Sequence, residues 1–164
     1  MRNFQFWFHL KLSLIGLIFS CFIGLNSNAQ PTAVYSVENF YINGILQEGT
    51  AQEYGMQLSI IRSIESGFYF FSNEWLEVGS YSTGKMLGWE EIDDESAFNF
   101  EEEVDYTQAY AFKWKYENNY NRDHGVAKVV FTEFGEECER YFKCIVTIES
   151  ENLELKYEGY RITT

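Results

Sequence analysis

The chain has 164 residues, with 12 lysines and arginines against 25 aspartates and glutamates, a net charge of −13. Such a field repels phosphate backbones and anionic lipid surfaces, which argues against nucleic acid or an acidic membrane as partner. The 15 phenylalanines, 12 tyrosines and 4 tryptophans need burial, and so point to a folded core rather than a disordered chain.

Met1–Ala29 reads as a cleaved secretory signal helix. It opens with Arg2 and Lys11, runs apolar from Leu12 to Leu25, and leaves through Ser27-Asn28-Ala29. Small residues at Ser27 and Ala29 place cleavage before Gln30. The ending resembles bacterial export signals. The apolar run of 14 residues would span about 21 Å as a helix, short of a bilayer core of roughly 30 Å. A lipid anchor on Cys21 would want a small residue where Phe19 stands. The expectation is export to the periplasm, the cell surface or the medium, with no stable membrane anchor after cleavage. Residues 30–164 form the mature part, read as one β domain. Both basic residues of the signal leave with it and no acidic ones do, so 10 basic face 25 acidic residues in what remains.

The mature chain alternates with period two more than it repeats at helical spacing. Tyr35–Ile42 reads as a strand, and Asn43-Gly44 as a hairpin turn into Ile45–Gln47. Thr50–Tyr54 suits one helical turn. Strands follow at Met56–Ile64, Phe68–Phe71, Trp75–Tyr81, Lys85–Ile92 and Ala97–Val104, with a turn expected at Ser82-Thr83-Gly84. Tyr106–Glu117 is the clearest strand. Tyr106, Tyr110, Phe112, Trp114 and Tyr116 share one face, and Lys113, Lys115 and Glu117 the other. In a pleated strand the rings face a core and the charges face water. Asn118–Gly125 reads as a loop. Val126–Glu133, Cys138–Glu149 and Leu153–Ile162 complete the series, with turns at Phe134–Glu137 and Ser150–Asn152.

Short polar turns between alternating runs mean sequential antiparallel pairing. The expected fold is all-β: an antiparallel up-and-down β-barrel or barrel-like sandwich of about eight to ten strands. The strand order and inner aromatic face of Tyr35–Ile162 resemble lipocalin-like, calycin-type ligand-binding barrels. Gly88-Trp89 is the one Gly-Trp neighbour pair. It lies mid-chain and lacks the intervening residue of the family's Gly-x-Trp near the first strand, so no family residues carry over.

Few residues suggest chemistry. His124, the one histidine left after cleavage, sits in Asn121-Arg122-Asp123-His124-Gly125 and reads as a solvated loop residue. Cys138 and Cys144 on one strand would stand roughly 20 Å apart, too far for a disulfide. Two free thiols are expected, with Cys144 in the core. The acidic stretch from Glu90 to Asp105 lacks the spacing of a calcium loop and reads as a solvated loop. No metal, no cofactor and no catalytic residue is assigned. The leading expectation is a non-catalytic exported binding module for an unknown small apolar ligand or a protein partner, with Tyr110, Phe112, Trp114 and Tyr116 as its lining. The alternatives are a secreted hydrolase using two carboxylates on the same scaffold and a small outer-membrane β-barrel.

Overall fold

The computed structural model describes residues 29–92, 106–136 and 139–162. The signal segment ahead of Ala29, the strand expected at Ala97–Val104, most of the acidic stretch and Cys138 lie outside them. Nine strands make one sheet: β1 (Ala29–Ile42), β2 (Ile45–Leu46), β3 (Met56–Ser63), β4 (Tyr69–Trp75), β5 (Ser80–Ile92), β6 (Tyr106–Asn118), β7 (His124–Gly135), β8 (Arg140–Ile148) and β9 (Leu153–Ile162). Neighbours pair in the order β2-β1-β3-β4-β5-β6-β7-β8-β9, and β1 also pairs with β9. Eight strands therefore close into an antiparallel up-and-down barrel, with β2 a short appendage on β1. Closure leaves the meander without free edges.

β1 performs the closure by serving two partners. Its first half pairs with β3, as in Tyr35↔Leu58, and its second half with β9, as in Phe40↔Tyr157. Val34, Tyr35 and Ser36 pair with both partners at once, and a bulge between Val37 and Asn39 shifts the register with β9. The backbones come close at this seam. A Cβ on Gly159 would lie 2.0 Å from the Ser36 carbonyl oxygen.

The alternation of the sequence becomes the inside and outside of the barrel. Phe112 and Trp114 are buried while Lys113 and Lys115 are exposed. Phe71 meets Trp114 edge-on at 5.1 Å between centroids and Phe112 at 5.7 Å. Tyr35 packs on Phe131 and Phe142, and Phe40 stacks on Tyr157. The rings fill the middle of the barrel, as in other small barrels.

The hairpin at Asn43-Gly44 has both residues at positive φ (49° and 78°), as a tight two-residue turn requires. The helical turn α1 (Thr50–Glu53) buries Ala51 against the barrel end. Two expected elements are corrected. Leu76–Val78 is a single 3-10 turn, so Trp75–Tyr81 is not a strand. Ser82-Thr83-Gly84 is not a turn but lies within β5. Gly84 sits in register between Phe71 on β4 and Tyr116 on β6. A Cβ there would approach the Lys115 carbonyl oxygen to 1.8 Å. Small residues at this stretch accommodate tight strand contact instead of reversing the chain. The β6–β7 connection is also tighter than expected, since His124 already pairs with Glu117. His124 is exposed there.

Candidate functional site

The barrel has two unlike ends. At one end the start of β1, the end of β9 and the β3–β4 and β7–β8 connections meet. Glu133 lies just inside it, 7% exposed, the one buried charged side chain among the described residues. Its Oε1 accepts from Arg140 Nη1 at 3.0 Å and Arg161 Nη1 at 3.1 Å, and its Oε2 from the Tyr35 hydroxyl at 2.8 Å. The register makes this cluster. Tyr35 pairs with Arg161 across the closing seam, and Glu133 lies two residues before the Gly135↔Arg140 pair. Both carboxylate oxygens are engaged, so the group acts as an anchor for the barrel end.

The opposite end is framed by the β1–β2–α1 segment and the β4–β5, β6–β7 and β8–β9 connections. A cavity of about 310 Å³ opens here. Its apolar wall comes from Phe40 and Ile42 on β1, Trp75 on β4, and Leu155 and Tyr157 on β9. Its polar lining comes from Asn73, Ser80, Ser82 and Asn118, with Tyr81 at the rim. Trp75 is fixed from outside by a stacked Tyr54 at 5.3 Å. Tyr54 in turn accepts Glu77 N–H on its carbonyl, tying α1 to the β4–β5 turn.

Asn73 is the polar centre of this mouth. Its Nδ2 donates to the Tyr157 hydroxyl at 2.8 Å, while its Oδ1 is buried with no hydrogen-bond partner. Asn118 donates to Ser82 Oγ at 2.9 Å. An acceptor left unpaired out of water costs about 1–3 kcal/mol, so the amide is held here against a penalty. Burial, chiefly, raises the pKa of the Tyr157 hydroxyl far above the phenolic range, with the Asn73 bond acting weakly in the other direction. Tyr157 is thus a neutral hydroxyl at this site and not an acid or base at neutral pH.

The four residues expected to line a site share the interior face of β6, but the structure spreads them along the barrel. Tyr110 belongs to the Glu133 end, where it packs on Trp89 at 4.9 Å. Phe112 and Trp114 are 3% and 4% exposed and belong to the packed core. Tyr116 is half-buried toward the open mouth, 5.1 Å from Trp114. None of the four lines the 310 Å³ cavity. The residues that do were missed, because they come from the ends of five strands. A signal for them existed. Asn73 interrupts the inward series Phe71-x-Asn73-x-Trp75, and Asn118 ends the series Trp114-x-Tyr116-x-Asn118. Polar residues on an inward phase mark places where a barrel interior is not simply filled.

Cys144 is a free, fully buried thiol in the wall between Phe131 and Tyr157. Among the described residues no three His, Cys, Asp or Glu side chains come together to hold a metal ion, and no helix is long and apolar enough to cross a membrane. No protein-family model, no curated protein and no solved structure matches the chain.

Proposed function

We propose that this chain is an exported, non-catalytic binding protein with a lipocalin-like barrel, and that the mouth around Asn73 holds a small, largely apolar molecule carrying a hydrogen-bond donor. The observation that carries this reading is an aromatic-walled cavity whose lining includes the Asn73 amide and the Ser80 and Ser82 hydroxyls. Small-molecule sites are concave and mostly apolar, with a few polar groups that fix orientation. The Glu133 carboxylate is already taken up by two arginines and a tyrosine, which disfavours it as one half of a hydrolytic pair. Exposed Lys113, Lys115 and Lys128 on the outward face disfavour a membrane barrel, where each would cost about 2–4 kcal/mol near the bilayer midplane.

Native mass spectrometry of protein purified from its own host tests the reading. The expected result is a chain beginning at Gln30 with a small molecule bound. Ser80→Phe, which places a ring in the mouth, is expected to lose the molecule while keeping the circular dichroism of the parent. A bare parent chain, or a ligand held equally by the plugged variant, would overturn the proposal.

A further inference from the structure

Resting on that reading of the mouth, we infer that its ligand is a cationic amphiphile, an organic ammonium or guanidinium group on an apolar body. The body fits the wall of Phe40, Ile42, Trp75 and Leu155. The polar lining offers acceptors in the hydroxyls of Ser80 and Ser82. Among the described residues no lysine or arginine lines the cavity. Trp75 and Tyr81 also stand on the lining, and aromatic rings attract cations that reach their faces.

Charge around the mouth points the same way. The connections that frame it carry Glu48, Glu53, Glu77, Asp123, Glu149 and Glu151 against Arg122 alone. None of these six carboxylates forms an ion pair among the described residues. The carboxylates also act on the interior. The Tyr116 hydroxyl is held above the ordinary phenolic range by burial first, then by the charges of Glu151 and Asp123. A mouth of low-dielectric walls ringed by one sign of charge concentrates ions of the other sign.

The test uses three probes with one apolar body: 3-phenylpropylammonium, 3-phenylpropanol and 3-phenylpropionate. Each is titrated into the mature chain by calorimetry at about 0.01 M and about 0.15 M salt. The cation is expected to bind about tenfold tighter than the alcohol at low salt, with the anion weakest and the spread narrowing as salt screens the rim. The triple variant Glu77→Gln, Asp123→Asn, Glu151→Gln is expected to shrink the cation's advantage to about threefold and leave the alcohol unchanged. Equal affinities for cation and alcohol, or preference for the anion, would overturn the inference and leave the binding reading standing. If none of the three binds and no molecule co-purifies, both fall together.

Discussion

Glu133 shows how much one residue can depend on register. A carboxylate is rarely buried unless paired, and this one is reached by guanidiniums from β8 and β9 and a hydroxyl from β1. Arg140 and Arg161 keep 27% and 31% of their side chains exposed, so their stems cover the core while their heads stay partly hydrated. Removing the charge takes a shared acceptor from both guanidiniums. Glu133→Gln, which preserves shape, is therefore expected to destabilise the barrel by about 2 kcal/mol, below the full cost of breaking a buried pair because water can reach both arginines. Tyr35→Phe removes the hydroxyl's hydrogen bond to Glu133 and is expected to cost about 1 kcal/mol. Urea unfolding of the two variants checks the order. A Glu133→Gln midpoint equal to that of the parent would show the cluster to be surface decoration.

At the level of elements, the closing seam adds a close backbone approach to its side-chain contacts, the Phe40–Tyr157 stack and the Tyr41 hydroxyl donated to Glu158. The backbone contact at Gly159 forbids even a methyl group there. Gly159→Ala is expected to cost about 3 kcal/mol through displacement of β1 from β9, whereas alanine at Gly49 has space around it and meets only the strain of a positive φ (71°). Thermal melts of both variants separate the two effects, and an unperturbed Gly159→Ala would refute the seam argument. Elements governed by local chemistry were legible in the sequence. Leu153–Ile162 matches β9 residue for residue, and Asn43-Gly44 forms the expected turn, because alternation and turn preference are written in neighbouring residues. Ser82-Thr83-Gly84 misleads because the same small residues serve turns and tight strand contacts, and only the partners Phe71 and Tyr116 decide between them. The site was less legible still. The inward rings of β6 are plain in the sequence, but no local rule says that Phe112 fills the core while Ser80, brought to Trp75 by pairing, lines a cavity.

The molecule as a whole is one closed hydrogen-bonded ring, so its wall exposes its buried groups to water chiefly by opening. Cys144 and Tyr157 face each other in register between β8 and β9, both shut off from solvent. Burial pushes the Cys144 thiol up, and it pushes the Tyr157 hydroxyl up as well, with the neighbouring Cys144 adding to the effect. Both groups are neutral when protonated, so the folded chain keeps protons that the unfolded chain gives away in alkali. Below the ordinary thiol pKa of about 8.5, folded and unfolded chains hold these protons alike, and the two groups leave stability unchanged with pH. Above it the unfolded state is favoured by up to about 1.4 kcal/mol per pH unit for the thiol, and above about 10 by a similar slope for the phenol. Urea midpoints of a Cys138→Ser parent are therefore expected to fall above about pH 9 and to fall more steeply above about pH 10. Adding Cys144→Ala lowers stability by a constant amount for the lost sulfur but is expected to flatten the profile between about pH 8.5 and 10. Parallel profiles for the two proteins would mean that the thiol ionises without opening the barrel, and that the wall between β8 and β9 breathes on its own.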